Sequence, residues 1–175
     1  MSKLTTKYIG LRTLTGTGLD ASASAFSLAQ SVGLKTGGST VKKVDPSILA
    51  KFALIEHRSR ALQCSTEENV RSSDGTLIFA TASDPSVKLA TIYCKRFDRP
   101  CNLIQLPLIT DRHFIVEVIV QWMQRNDVRN LNVIGGQRRA DYLSREVSEI
   151  FAQVLDRLQY FGQIDKYPIS SEDNK

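Results

Sequence analysis

The sequence predicts an α/β domain, an open and mainly parallel sheet with helices on both faces, and three observations carry that prediction. First, the stretch Thr66 to Phe79 passes from a polar helix end through a turn at Ser72–Gly75 into the unbroken run Thr76–Ala80. Only a strand covered on both faces can be this apolar. Second, other strand-like runs, Tyr8–Leu14, Asn102–Leu106 and Asn130–Ile134, each lead into a segment of helical periodicity. Third, the joints between them carry glycines or Asp-Pro, at Gly16 and Gly18, Asp84-Pro85 and Gly135-Gly136, the residues that stop strands and start helices. Right-handed crossovers then make the sheet three-layered and Rossmann-like.

At 175 residues the chain is most simply one domain, residues 1–162, with 163–175 expected as a flexible tail ending Ser-Ser-Glu-Asp-Asn-Lys. An apolar fraction of 42% with 23% charged residues is ordinary for a soluble globular protein, and no apolar run approaches bilayer length. Met-Ser-Lys-Leu-Thr-Thr-Lys is followed by a strand-like segment, so no secretory leader and a cytoplasmic location are expected. Cys64, Cys94 and Cys101 lack the paired spacing of a zinc site, and His57 and His113 are the only histidines, so free thiols and no metal are expected. The net charge of +5 favours an anionic partner, while the absence of dense basic runs argues against nucleic acid.

The first strand, Tyr8–Leu14, ends in Thr15-Gly16-Thr17-Gly18-Leu19-Asp20. Paired glycines between strand and helix either make a tight turn or let the backbone approach an anion at the helix start. Asp20 fits as the cap of the next helix, which places Ala25, Leu28, Ala29 and Val32 on one stripe. Gly33–Asp45, with Gly37-Gly38, Lys42-Lys43 and then Pro46, reads as a loop. Lys42 there either meets an oxyanion or is solvated surface. Ser47–Glu56 fits a short helix or an irregular segment, and Arg58–Val70 a helix.

After the central strand, Asp84 or Ser83 can cap a helix whose first turn holds Pro85, and Val87, Ala90, Cys94 and Phe97 share one face, which makes Cys94 core. Asp111–Arg125 places Phe114, Ile115, Val118, Ile119 and Trp122 on a stripe, with His113 on the surface. The strand Asn130–Ile134 breaks at Gly135-Gly136, opening the carboxyl edge where open α/β sheets bind ligands. Arg138 and Arg139 either meet an anion there or cap the surface. Val147, Ile150, Phe151, Val154, Leu155 and Leu158 then mark a long final helix over Tyr142–Gln159.

The order of these motifs resembles the family of molybdenum cofactor carriers, related to nucleotide-ligand binders and cytokinin-releasing phosphoribohydrolases. The resemblance rests on Thr66, Asn69, Val70, Arg71 and Ser73 through Phe79 at the centre, with Thr17-Gly18-Leu19-Asp20, Gly37-Gly38, the Phe52, Leu54, Glu56 element, Arg99-Pro100-Cys101, and Leu131-Asn132-Val133 with Gly135. It covers roughly Thr15 to Leu155. The chain departs from the pattern at Ala21 and Ser65, where the family has arginines, and at Ser39-Thr40-Val41, where it has Trp-Cys-Pro. It departs again at Thr81–Val87, where a Gly-Gly-Thr loop would bring amides to a phosphate.

The resemblance implies a non-catalytic carrier of an anionic pterin- or nucleotide-like ligand, molybdenum cofactor (molybdopterin) or a nucleotide, and a homo-oligomer. The pocket expected from it comprises Gly16, Thr17, Gly18, Asp20, Gly37, Gly38, Lys42, Asn69, Asp74, Thr81, Ser83, Gly135, Gly136, Arg138 and Arg139 along the carboxyl edge, with Asp74 and Asn69 alternatively serving only the local turn and helix end. Two other readings stand beside it. One is a ligand-free interaction subunit built on the fold; the other is a nucleoside-monophosphate N-glycosidase using Asp74 or Glu56.

Overall fold

The computed structural model describes residues 7–81, 84–136 and 138–166. Within them strands and helices alternate: β1 Thr13–Thr15, α1 Ser22–Ser31, β2 Lys35–Thr40, α2 Pro46–Phe52, β3 Leu54–Glu56, α3 Leu62–Ser72, β4 Gly75–Thr81, α4 Pro85–Arg96, β5 Cys101–Leu106, α5 Arg112–Arg125, β6 Asn130–Gly135 and α6 Ala140–Tyr160. The strands form one sheet in the order β3-β2-β1-β6-β4-β5, every pairing parallel. Helices α1, α5 and α6 pack together on one face and α3 with α4 on the other, which completes the three-layer, Rossmann-like arrangement.

Strand β4, expected at the centre of the sheet, lies one in from the edge strand β5, with β1 and β6 in the middle, yet it is buried at every position, as its composition requires. On β6 the alternation is chemical: Leu131 and Val133 join the core under α6, while Asn132 and Ile134 turn to the α3 and α4 side. Helix α6 buries Leu143, Val147, Ile150, Phe151, Val154, Leu155 and Leu158. Helix α4 is capped by Asp84, whose carboxylate accepts from the Ser86 amide at 3.0 Å, with Pro85 in the first turn as expected.

Four local expectations change. Gly33–Asp45 is not all loop, because Lys35–Thr40 pairs on both sides, with β1 and with β3. Ser47–Glu56 resolves into a short helix capped by Asp45 and a three-residue strand. On α5 the buried residues are Val116, Ile119, Val120 and Met123, with Ile115 and Trp122 packed against the core, so Ile119, Ile115 and Trp122 of the expected stripe face inward while Phe114 is 59% exposed. The segment after Gly162, expected as a tail, is tied down as far as Asp165. Leu11 donates to the Gln163 carbonyl at 2.9 Å and accepts from the Asp165 amide at 2.8 Å, while the Asp165 carboxylate pairs with Arg129 and Arg12.

Candidate functional site

The strand order places a reversal beside β6. β6 and its neighbour β4 continue into α6 and α4, which lie on opposite faces of the sheet. The helices therefore part at the carboxyl ends of these strands, the position where open α/β sheets hold ligands. A cavity of about 220 Å³ opens there, on the α3 and α4 side. Its floor is Asn132 to Gly135 of β6. One wall is Leu62, Thr66 and Asn69 of α3, another is Ser86 and Leu89 of α4, and its rim is Thr17 and Asp20 of the loop after β1.

Of the residues expected in the site, Thr17, Asp20, Asn69 and Gly135 line this cavity. Gly16, Gly18, Gly37 and Gly38 do not line it, and Gly38 instead lines a neighbouring cavity with Ser39, Glu56 and Asn69. A side chain on Gly38, at φ +129°, would reach to 2.5 Å from the Gly16 carbonyl and 2.9 Å from Asn69 Oδ1, so this glycine is dictated by close backbone approach. Asn69 locks the same strand. Its Oδ1 accepts from the Ser39 amide at 2.6 Å and its Nδ2 donates to the Ser39 carbonyl at 2.8 Å. The side-chain amide is thus spent on the backbone of β2 and does not cap its own helix.

Asp74 does not join the site. Gly75 stands opposite Leu131 in the register while Phe79 stands opposite Gly135, so Asp74 lies at the amino edge, level with Asn130 and two residues or ~7 Å short of the nearest floor residue, Asn132. Its carboxylate accepts from the amides of Arg129 and Asn130 at 3.1 and 2.7 Å. It fastens the entry of β6, the local role that a turn aspartate plays. Thr81 is buried at the end of β4, Lys42 is exposed beyond β2, and neither lines the cavity. Ser83 lies outside the described residues.

The loop after β6 is organised by the chain's own carboxyl groups. Gly135 donates its amide to Asp20 Oδ2 at 3.0 Å, and Arg138 donates its amide to Asp84 Oδ2 at 3.1 Å. Gly136 donates to the Phe79 carbonyl at 2.8 Å. Among the described residues here, the amides of Gly135, Gly136 and Arg138 are therefore engaged within the protein. The Arg138 and Arg139 side chains are exposed, and Arg139 lies over the Tyr142 ring at 4.5 Å from its centroid.

Asp20 was expected as the cap of the next helix; it sits one residue further out and still accepts from the Ser22 amide at 2.8 Å. Burial pushes its carboxyl above the usual 3.8, opposed by the hydrogen bonds from Ser22 and Gly135.

One cavity residue that spacing alone did not single out as a ligand contact is Asn132. It is fully buried, its Nδ2 donates to Thr76 Oγ1 at 3.2 Å, and its Oδ1 has no partner among the described residues. The signal was present in the sequence as a buried-strand Asn between Leu131 and Val133. Thr76 stands beside Asn132 in the register and Cys101 beside Thr76, so the three form a polar row across β6, β4 and β5. Beside this row lies Cys94, whose thiol the neighbouring Cys101 holds below the usual thiol range. Cys64, Cys94 and Cys101 are all free thiols. No cluster of metal-binding side chains occurs among the described residues, and no helix there is long and apolar enough to cross a membrane.

A family model described as the circularly permutated YpsA SLOG family matches residues 15–158. Among solved structures, the crystal structure of a "putative molybdenum carrier protein" from Syntrophus aciditrophicus SB is similar at a TM-score of 0.71 and 21% identity, covering 88% of this chain and 98% of that one. At that identity the likeness is one of fold. No curated protein matches the chain.

Proposed function

This chain belongs to the circularly permutated YpsA SLOG family, and from that premise we propose that it is a non-catalytic binding protein that carries a pterin- or nucleotide-like anion, with molybdenum cofactor as the leading ligand. The observation that carries the reading is the cavity at the strand-order reversal, with Asn132 on its floor and Thr17 and Asp20 on its rim as polar groups and with apolar surface along Leu62, Leu89 and Ile134. A mostly apolar pocket with a few placed polar groups is the ordinary form of a small-molecule site. The similar fold of a protein described as a molybdenum carrier supports the choice of ligand class.

The residues present fit part of such a ligand. At about 220 Å³ the cavity is below the roughly 300–1,000 Å³ of sites that enclose a whole drug-sized molecule, so it takes a ring system and leaves the rest outside. Asn132 and Asp20 would hold the ring, and the exposed side chains of Arg138 and Arg139 would meet the anionic part. The bound cofactor would itself supply the molybdenum chemistry to an acceptor enzyme.

The test is to purify the protein without oxygen and measure copurified molybdenum, pterin and nucleotide by mass spectrometry, then to add each back in a thermal-shift assay. A ligand at about one hundred times its Kd raises the melting temperature by roughly 5–10 °C for a chain of this length. If nothing copurifies and no addition shifts the melt, the carrier reading is wrong and a ligand-free interaction subunit takes its place.

One observation favours a second reading, in which the protein cleaves the N-glycosidic bond of a nucleoside monophosphate. Asp20 is the carboxyl at the rim of the cavity, the place from which a general acid would pass a proton to a departing base and recover one from the water that adds to the sugar carbon. Asp74 and Glu56 do not line that cavity. Release of free base from nucleoside monophosphates, abolished in Asp20→Asn, would establish this reading against the carrier.

A further inference from the structure

We infer that the outer edge of β5 pairs with the same edge of a second copy of this chain, antiparallel about a two-fold axis at Leu103, so that two sheets join into one. This goes beyond the carrier reading and does not rest on it.

The sheet ends in two unlike edges. At one end β3 spans three residues and carries Glu56, whose carboxylate accepts from the Lys43 amide at 3.1 Å. Shortness and charge are ordinary means of keeping an edge strand from pairing. β5, at the other end, has neither. It is six residues long, and no Asp, Glu, Lys or Arg stands between Arg99 and Asp111 in a chain that is 23% charged. Pro100 and Pro107 lie just outside the strand, and its register with β4 runs without a bulge from Cys101 opposite Thr76 to Leu106 opposite Thr81.

The register fixes which groups are left over. The Thr76 amide donates to the Pro100 carbonyl at 2.9 Å. A parallel ladder repeats every two residues, so Asn102, Ile104 and Leu106 turn their backbone groups to β4, while Cys101, Leu103 and Gln105 turn theirs outward. None of these outward groups has a backbone partner among the described residues. They are symmetric about Leu103. When Leu103 opposes Leu103 in an antiparallel pair, Cys101 opposes Gln105, and every outward amide meets an outward carbonyl. A second copy therefore fits this edge in register, and along an uncharged strand it meets no like charge.

The surroundings supply more apolar surface. On one face the helices run α1, α6, α5 and on the other α3, α4, so α4 and α5 flank β5. Ile92 on α4, Leu103, Ile109 after β5 and Phe114 on α5 are four of the nine large apolar side chains exposed among the described residues. A two-fold axis through the strand pair brings α4 beside α4 and α5 beside α5, which adds to the strand pairing the area that a specific interface of roughly 1,000 Å² needs.

The experiment is light scattering on the intact chain with two variants. At about 50 µM the native chain is expected at twice its 19.5 kDa. Leu103→Lys, at a side chain 43% exposed, should melt cooperatively and weaken association at least about tenfold, because two ammonium groups then oppose each other where two apolar side chains met. Ile55→Lys on the other edge should leave association unchanged. Directly opposed residues of a hydrogen-bonded antiparallel pair lie about 5.5 Å apart at Cα, within the reach of a disulfide. Leu103→Cys treated with oxidised glutathione should therefore yield a dimer linked from 103 to 103, identified by mass spectrometry of the joined peptide; if Leu103→Lys does not fold, this cross-link decides alone. A native monomer at that concentration, a dimer that Leu103→Lys does not weaken, or oxidation without the 103-to-103 link would overturn the assignment.

Discussion

At the scale of single residues, the cavity is built on side chains whose polar groups are mostly committed to the protein, and the commitment of Asp20 depends on pH. Its carboxyl titrates above 3.8 because burial outweighs the hydrogen bonds from Ser22 and Gly135. A group that holds its proton more tightly in the folded state contributes stability that is complete below the unfolded value and falls away as pH rises through the folded one. Urea titrations across a pH series from about 4 to 8 should therefore show a fall in stability on raising the pH that is present in the native chain and missing in Asp20→Asn. Equal slopes in the two proteins would contradict it. Asn69 makes a different prediction. Its two hydrogen bonds to Ser39 are the lateral anchor of β2 on α3, and Asn69→Ala should cost about 2–4 kcal/mol in the same titrations, because a buried strand residue is left with an unpaired amide and carbonyl. A loss below about 0.5 kcal/mol would show that β2 is held by its strand pairing alone.

At the scale of elements, the parts legible in the sequence are those whose local chemistry and tertiary role agree. Helix α6 is the clearest case: the hydrophobic period fixed both its extent and its buried face, apart from two residues at its start and one at its end. Phe151 is fully buried in the main core, so Phe151→Ala should lower stability by about 3–5 kcal/mol, whereas Arg145→Ala on the exposed face should stay within about 0.5 kcal/mol. Strand β2 is the opposite case. Lys35-Thr36-Gly37-Gly38-Ser39-Thr40 has the composition of a loop, and it is a strand because β1 and β3 pair on either side and Gly38 lets its backbone come against Gly16. Nothing local reports that. The same limit explains the site. Thr17, Asp20 and Gly135 were legible from turn chemistry at strand ends. The cavity walls on α3 and α4 were not, because Leu62, Thr66 and Leu89 have ordinary helical surroundings in sequence and converge only through the crossing of two helices. Asp74 misled for a related reason: its turn precedes β4, and a parallel sheet puts the entry to every strand on the edge opposite the ligand shelf.

At the scale of the whole molecule, the strand order has a simple meaning when counting begins at β6. Renumbered from there, β3-β2-β1-β6-β4-β5 becomes 4-3-2-1-5-6, an uninterrupted run outward from the centre followed by one return to its other side. That is a doubly wound sheet with its reversal between the first and fifth strands, where the cavity lies. That is the order a circular permutation, the term in the family description, would leave when the chain of such a sheet is opened ahead of β1. It requires that the two terminal segments meet, and they do: Leu11 pairs in parallel with Ile164 and exchanges hydrogen bonds with Gln163 and Asp165. The sheet depends on which strands are neighbours and little on where the backbone is cut, since closing one loop and opening another changes the chain entropy only by small logarithmic terms. A chain opened between Asn126 and Asp127, both exposed in the turn between α5 and β6, and joined from Lys175 to Met1, should fold cooperatively with an unchanged denaturant slope. It should bind whatever ligand the native order binds, because β6 then leads the chain and still delivers Asn132 and Gly135 to the cavity floor. A chain opened between Val133 and Ile134 should not fold, since the cut would sever the strand that pairs with both β1 and β4. If the first permutant instead unfolds over a broad, shallow transition, the order of synthesis matters to this fold in a way that strand adjacency does not capture.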